Sequence, residues 1–578
     1  MSITRRLTPW ALFMAAAALA APHRFDRQAQ QPIPVTGMNT GIDNRTGERP
    51  SRWEINALEH EGGPRWDLYI QGLAALQNKT ETDERSHFSI AGEIIHQPSR
   101  PSWFSSILIQ HLVGIHGMPY VPYNGVGPAP GGSGGGFCPH GEAQFVAWHR
   151  PYLALYEQIL GSEIQRIAAR YNASHRNSSA YREAARAFRL PYWDWASNAQ
   201  LPPSCAAPNV TVAGPRGPLT MRNPLYSYKW PTYPLNQTQF PGSVGWPDET
   251  TRASDGKSDF SVDVVNANLA AVAGQLKDQV YRTFAYAETY DQMSSMADPA
   301  GVSLEAAHNI VHNAVGGSFA SIDVTAFDGL FMLHHANLDR LAALWQAIHP
   351  NDTYQSRSYA SGGLYGTARG ENMTAESPVK PFYRADGKSF HTGISASSIE
   401  AFGYTYPELR GWDSGQRNQG SSDLVSRINA LYGSGSGGGD FGEASLAGDE
   451  WFVEIAVNRS ELELPCNIDI HVGETFAGRV ALLGMPMHGL AYAEIPLQRA
   501  LKSLGLNRTG SNAVERVLRE QLRVEIIKGS GVTFDAKDTT GLVVNIAVTH
   551  IVSHGSDFEL TKYGHERVAS LGDWSGTG

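Results

Sequence analysis

Histidines suited to metal binding occur in three separate stretches of this chain, and they constrain its fold more than any other feature. The stretches cover residues 114–152, 305–312 and 328–340. Neutral imidazole is a good ligand for several transition metals. Two sets of three imidazoles would hold two metal ions side by side, so the three stretches have to meet in the folded chain. Six candidate ligands can be drawn from the histidines of these stretches, which are His116, His140, His149, His308, His312, His334 and His335.

His308 and His312 form the most specific pair among these histidines. On a helix, residues i and i+4 lie on one face and can bind the same ion. Zinc proteases use this spacing but need a Glu directly after the first His. Asn309 stands at that position, so a zinc hydrolase is disfavoured. The spacing alone does not decide between copper and zinc, and a buried structural histidine is the ordinary alternative for each residue.

The order and surroundings of these motifs resemble the tyrosinase family of type 3 copper polyphenol oxidases. The similarity rests on HGEAQFVAWHRPYLALYE at 140–157, LPYWDW at 190–195, the HNxxH segment at 308–312 and FMLHHANLDR at 331–340. In particular, the chain resembles the secreted tyrosinases of filamentous fungi. The resemblance extends from about Pro34 into the C-terminal region, and its motifs are highly specific.

The resemblance implies an enzyme that binds O2 between two copper ions. It implies ortho-hydroxylation of monophenols and oxidation of o-diphenols to o-quinones, with O2 and small phenols or catechols as partners. A catechol oxidase or an o-aminophenol oxidase without monophenol activity is the alternative within the enzyme class. A haemocyanin-like O2 carrier is a more distant alternative, disfavoured by an export signal and the lack of evident sequence repeats.

The resemblance also implies which histidine binds which metal. The first copper would take His116, His140 and His149, and the second His308, His312 and His335. In the family pattern three residues separate the last ligand from an Asp, which His335 and Asp339 match. His334 and His111 are then neighbours rather than ligands. The family usually has Asp-Pro where this chain has Asp-Gly at 328–329, a difference expected to alter a turn without removing a ligand.

Two further residues are assigned by resemblance to the neighbourhood of the first copper. Cys138 precedes His140 by two positions, as in the Cys-x-His thioether of fungal members, where sulfur is bonded to an imidazole carbon. A buried free thiol or a disulfide is the alternative. Ile322 falls where the family has a residue gating the first copper, and the absence of a bulky Phe there predicts a fairly open pocket.

Glu305 and Asn309 are the candidate catalytic residues. A phenol has a pKa of roughly 10, so the protein has to help remove its proton. Family members with monophenol activity carry Glu and Asn at matching places, where they would hold a water molecule for this step. On a helix both residues can lie near His308. The alternatives are a solvated carboxylate for Glu305 and a hydrogen bond that orients an imidazole for Asn309.

The N-terminus and the composition indicate export. Arg5 and Arg6 precede an apolar run and small residues at 18–21, which predicts a signal peptide over 1–20 and a secreted protein. Many Asn-x-Ser/Thr sequons agree with a secreted glycoprotein. The formal net charge of −10 gives no basic surface for nucleic acid, and no later segment predicts a membrane span. Cys205 and Cys466 are either a disulfide or two free thiols, and the oligomeric state stays open.

The predicted fold is a mainly α catalytic domain over 21–432, followed by a C-terminal β-sandwich over 442–578. By resemblance, the catalytic domain contains a four-helix bundle around the dicopper centre. The Gly-rich run at 433–441 predicts a protease-accessible linker. Short alternating runs after it, such as those at 451–457 and 467–472, predict the strands of the sandwich.

The resemblance implies that the C-terminal domain covers the copper site and keeps the enzyme latent until a protease acts. The loop at 485–492 has the bulk to place a side chain in the entrance, although it is equally well an ordinary hairpin. Tyr404 and Tyr406 resemble the Tyr-x-Tyr mark near the end of the catalytic domain, and Arg52 is the expected partner of that mark.

Overall fold

The structure of the chain is a computed structural model. It describes residues 31–81, 83–91, 115–132, 135–171, 177–256, 260–410, 417–433, 448–506, 510–529, 531–536, 539–552 and 557–573. The predicted signal peptide, His111 and nearly all of the Gly-rich linker lie outside these ranges. The domain boundaries at 432 and 442 therefore stay predictions.

The catalytic part is mainly helical, as the sequence predicts. Its helices are α1 (Ile55–Glu61), α2 (Gly63–Gln77), α3 (His87–Ala91), α4 (Phe145–Ala168), α5 (Ser178–Arg186), α6 (Val262–Tyr286), α7 (Tyr290–Ser294), α8 (Leu304–Val315), α9 (Gly329–Ile348) and α10 (Arg417–Tyr432). Three small hairpins decorate it: β1 (Asn209–Gly214) with β2 (Gly217–Arg222), β3 (Tyr359–Ala360) with β4 (Asn372–Met373), and β5 (Pro378–Tyr383) with β6 (Phe390–Thr392).

Packing of the long helices places the histidines at the centre of the catalytic part. Helix α4 contacts α9, α9 contacts α8, and α2 and α6 pack outside α4 and α8 respectively. Almost every residue of α8 and α9 is buried, including their polar ones. A helix that is buried all round belongs to the interior of a large domain. The helical bundle expected around the metal ligands is therefore present.

A buried ionic network fixes the position of α9. Asp339 accepts hydrogen bonds from the guanidinium groups of Arg150 (2.6 Å) and Arg52 (3.1 Å), and from the hydroxyls of Tyr404 and Tyr406, both at 2.6 Å. Arg52 also donates to the Tyr406 hydroxyl and lies over the Tyr404 ring. The predicted association of Arg52 with the Tyr-x-Tyr mark is confirmed.

The C-terminal part is a β-sandwich with two short helices, and this prediction is also confirmed. One sheet has the antiparallel order β10-β7-β13-β14 and the other β12-β11-β8-β9. The elements are β7 (Asp449–Asn458), β8 (Cys466–Val472), β9 (Thr475–Leu482), β10 (Leu490–Pro496), α11 (Gln498–Ser503), α12 (Ser511–Gln521), β11 (Leu522–Lys528), β12 (Thr533–Asp535), β13 (Leu542–Val552) and β14 (Lys562–Asp573).

The sandwich packs directly on the helix that carries two of the histidines. Helix α8 contacts β9, and Ala306 of α8 belongs to the apolar core of the sandwich together with Met296. The backbone N–H of Tyr492 donates to the Met296 carbonyl at 2.8 Å. The two parts thus share a continuous interface beside the histidine cluster. Among the described helices, none combines the length and apolar character needed to cross a membrane.

Candidate metal centre

Helix α8 presents His308 and His312 on one buried face. Ser303 precedes the helix, and its side chain accepts a hydrogen bond from the Ala306 N–H and caps the first turn. Nδ1 of His312 lies 2.7 Å from the Phe319 carbonyl oxygen, and Nδ1 of His308 lies 2.8 Å from Oδ1 of Asn309. These contacts occupy the Nδ1 atoms and leave the Nε2 atoms for a metal.

Helix α9 brings His335 to the same point. Asp328 caps its N-terminus by accepting a hydrogen bond from the Leu330 N–H, so the Asp-Gly pair starts the helix and removes no ligand, as expected. A Cβ at Gly329 would lie only 2.8 Å from the Pro224 carbonyl oxygen, which explains why glycine fits here. Nε2 of His335 lies 3.1 Å from Nε2 of His308, which is itself 3.0 Å from Nε2 of His312.

His116 and His140 come from loops, whereas His149 comes from helix α4. Nδ1 of His149 lies 2.8 Å from the Phe145 carbonyl oxygen one turn earlier, which orients the ring. The loops are held together by a hydrogen bond from the Phe137 N–H to the Ile115 carbonyl at 3.0 Å. Gly117 is needed because a Cβ there would overlap the Asp323 backbone. The three imidazoles therefore converge although only one is helical.

The histidines form two buried groups. Within each group the possible ligand atoms lie within 4.8 Å of one another. One group is His116, Cys138, His140 and His149, and the other is His308, His312, His334 and His335. The two groups adjoin, since the rings of His149 and His335 stack with centroids 4.3 Å apart. The structure thus brings together all six histidines that the sequence named.

The donor set fits two copper ions. Burial lowers the pKa of every one of these imidazoles, to about 3 for His149 and about 4 for His312, so they are neutral and free to bind metal. Neither ring nitrogen of His140 has a hydrogen-bond partner among the described residues. Buried polar atoms without partners are rare unless an ion or water completes them. All-imidazole sites suit copper.

The resemblance makes His334 a neighbour of the ligands, and the structure places it inside the second group. Its ring stacks on His308 at 4.8 Å, and neither of its nitrogens has a partner in the described part of the chain. The choice of His335 over His334 as the ligand accordingly stays a prediction. The contact between the Nε2 atoms of His335 and His308 favours it.

Cys138 lies in the first group, with its Sγ atom within 4.8 Å of the ligand atoms of both His140 and His149. Its Sγ atom is 3.2 Å from Nε2 of His149, while the thioether was expected with His140. Both rings are within the same cluster of ligand atoms, so the thioether stays a prediction. The disulfide alternative for Cys205 and Cys466 is wrong, because both are buried free thiols.

Glu305 is fully buried rather than a solvated helix carboxylate. It accepts hydrogen bonds from the Gly141 N–H (2.6 Å), the Ser295 hydroxyl (2.9 Å) and the Met296 N–H (2.9 Å). Burial raises its pKa above the usual range, although the charge of Arg459 and these hydrogen bonds partly oppose this. Gly141 directly follows His140, so Glu305 touches the loop of the first group while lying on the helix of the second.

A cavity of about 520 Å³ lies against the first group, between the catalytic part and the C-terminal part. His140, Cys138 and Ile322 contribute to its wall, together with the loop 484–488 of the sandwich. Pro486 sits so close to Gly141 that a Cβ on the glycine would be 3.0 Å from the proline ring. Residues 485–488 of the loop predicted to reach the entrance border this cavity, as does Ile322, and the roles of this loop as a plug and of Ile322 as a gate stay predictions.

Sequence reasoning missed Arg459, a buried arginine of the C-terminal part whose charge acts on both Glu305 and His140. It follows strand β7 in the turn Arg459–Glu461. Its local sequence is that of an ordinary strand end. No pattern in the sequence distinguishes it from an exposed arginine.

Comparison with known proteins identifies relatives of both parts of the chain. A model of the common central domain of tyrosinase matches residues 108–348, and a model of the tyrosinase C-terminal domain matches residues 450–546. A tyrosinase of Podospora anserina is 31% identical over 429 residues, covering 69% of this chain and 69% of that protein. A tyrosinase of Neurospora crassa is 30% identical over 427 residues, covering 69% of this chain and 58% of its own length.

The fold comparison agrees with the sequence comparison. A solved structure of latent and active mushroom tyrosinase superimposes with a TM-score of 0.77 at 21% identity, covering 93% of this chain and 98% of that one. The likeness therefore includes the helical part and the sandwich together.

Proposed function

Because the chain belongs to the tyrosinase family, we propose that it oxidises phenols with O2 at a dinuclear copper centre. The proposed reactions are ortho-hydroxylation of monophenols and oxidation of o-diphenols to o-quinones. The coppers, when bound by the two histidine groups, supply O2 activation. The presence of Glu305 and Asn309 one turn apart on the helix that carries His308 supports the monophenol reaction specifically.

The first contribution of the protein is a set of buried, uncharged imidazole ligands. Each ligand imidazole is buried and uncharged, so it can bind metal without first losing a proton. His149, His308 and His312 are held by hydrogen bonds at Nδ1, which fixes the direction of each Nε2. A site fixed in this way reacts without rearranging its ligands.

Glu305 and Asn309 are proposed to manage the phenolic proton. The buried Glu305 carboxylate has a raised pKa, which makes it a stronger base than a solvated glutamate. Asn309 uses its Oδ1 atom to orient His308 and directs its Nδ2 atom at the Met296 sulfur, 3.2 Å away. A water held between these two residues would accept the proton of an incoming phenol and pass it to Glu305.

Replacing Asn309 tests the monophenol reaction. The variant Asn309→Ala in linker-cleaved enzyme is expected to lose at least tenfold more activity on tyramine than on dopamine, since a catechol needs less help with its first proton. Asn313→Ala is the matched control, one turn further along the same helix with its amide directed to Asn467. Equal losses on both substrates would favour a catechol oxidase and refute the assignment.

The domain plan forms the second part of the proposal. The chain is proposed to be exported after removal of residues 1–20 and to stay latent until a protease cuts the Gly-rich linker at 433–441. The position of the loop 484–488 over the cavity supports latency. Cleavage is expected to raise dopamine oxidation several-fold. Full activity of the intact chain, unchanged by cleavage, would rule latency out.

A further inference from the structure

Arg459 is held rigidly at the end of strand β7. Its backbone N–H donates to the Gly489 carbonyl at 2.9 Å, and Asn458 caps the following turn by accepting from the Ser460 N–H. The side chain is only 1% exposed, which places it among the largest fully buried side chains of the described structure. Its charge acts on Glu305 of helix α8 and on His140, so the C-terminal part holds a fixed cation beside the catalytic part.

The guanidinium of Arg459 makes no hydrogen bond within the described ranges: Nε, Nη1 and Nη2 are all buried and unpartnered. Other buried arginines of this chain behave differently. Arg252 donates to both carboxylate oxygens of Asp328, at 2.9 and 2.8 Å. Arg340 donates to Asp194 and Glu408. Burying a charge without such partners is costly.

The charged and titratable groups that face Arg459 are Glu305, Cys466 and His140. The negative charge of Glu305 attracts the Arg459 guanidinium, but the described ion pairs within 4.0 Å do not include one between these two residues. Both carboxylate oxygens of Glu305 already accept hydrogen bonds from other donors. His140 offers a neutral ring. Burial lowers the pKa of Arg459, and the attraction of Glu305 opposes this only partly. The closed interface thus holds the cation at a net cost.

We propose that Arg459 makes the closed position of the C-terminal domain metastable, so that this domain leaves the copper site readily once the linker has been cut. The inference rests on the proposed latency of the intact chain. In the closed position the guanidinium is shielded from bulk solvent and has no direct partner among the described residues. On separation it regains water, and the free energy recovered drives release. The intact linker keeps the domain in place until then.

The test measures release of the C-terminal fragment from full-length protein nicked in the Gly-rich stretch, followed by size-exclusion chromatography. Arg459→Met, which keeps the bulk and removes the charge, is expected to slow release about tenfold or more, because a buried charge without partners costs more than the 1–3 kcal/mol of a neutral group. Arg516→Met removes an exposed arginine of the same domain and is expected to leave the rate unchanged. Unchanged or faster release of Arg459→Met would overturn the proposal.

Two further variants keep the test decisive if Arg459→Met folds poorly. Arg459→Lys retains the charge and is expected to release at nearly the wild-type rate. Glu305→Gln removes the attracting carboxylate and is expected to speed release, but only while Arg459 is present. Slower release of Glu305→Gln would contradict the proposal. Release of the fragment needs neither copper nor phenol, so the release rates can be measured whether or not nicking raises the activity. If nicking raises no activity, latency is refuted, but the release rates still test the role of Arg459.

Discussion

The buried network around Asp339 allows a quantitative prediction about what holds α9, and with it His335, in place. Asp339 is fully buried and binds Arg150 and Arg52 directly. The variant Asp339→Asn keeps the shape but removes the charge. Arg52 still has Glu157 at 2.9 Å, whereas Arg150 loses its carboxylate partner. Breaking one side of a buried ion pair costs about 3–5 kcal/mol, so a destabilisation of that order is expected.

The assay is urea unfolding of the wild type and the variant at neutral pH, with Glu183→Gln as control. Glu183 pairs with Arg186 on the surface, where both side chains are more than half exposed, and such a pair contributes less than about 1 kcal/mol. A loss for Asp339→Asn no larger than that of the control would refute the reasoning.

The same network predicts a dependence on pH. Burial alone would raise the pKa of Asp339, but Arg150, Arg52 and the hydroxyls of Tyr404 and Tyr406 hold it below its usual value. A carboxyl with a lowered folded-state pKa stabilises the fold above its unfolded pKa and loses this contribution as pH falls through the folded value. The stability gap between wild type and Asp339→Asn is therefore expected to narrow in strong acid.

Other consequences can be checked separately. Gly329→Ala brings a Cβ to 2.8 Å from the Pro224 carbonyl oxygen and is expected to lower the thermal midpoint and the copper content together. His335→Ala is expected to reduce bound copper from two ions per chain to about one by elemental analysis, whereas His334→Ala retains two; the reverse pattern would reassign the ligand. Peptide mass spectrometry of mature, copper-loaded enzyme is expected to show Cys138 cross-linked to a histidine, and a freely alkylatable thiol would exclude the thioether.

The sequence predicted the parts of the site that depend on local spacing. His308 and His312 share a helical face whatever surrounds them. The alternating strands after the linker predicted the sandwich for the same reason. Resemblance to known sequences then supplied the grouping of ligands from loops, such as His116, which spacing alone does not give.

What the sequence did not predict depends on contacts between distant segments. Glu305 is buried by contacts with Gly141 and Met296, which both lie outside its own helix. Gly141 is also distant from it in the sequence. The charge of Arg459 acts on Glu305 only because the sandwich packs on α8. His334 and His335 are adjacent in sequence, and only the direction of each side chain separates a ligand from a neighbour. Such features arise from tertiary packing, which no local pattern records.

Stepwise copper loading tests the central claim most directly. Metal-free, linker-cleaved protein is titrated with copper while catechol-dependent O2 uptake is recorded. If the two histidine groups act as one dinuclear centre, activity stays low up to one copper per chain and reaches its maximum at two. Full activity at one copper per chain would contradict a dinuclear centre.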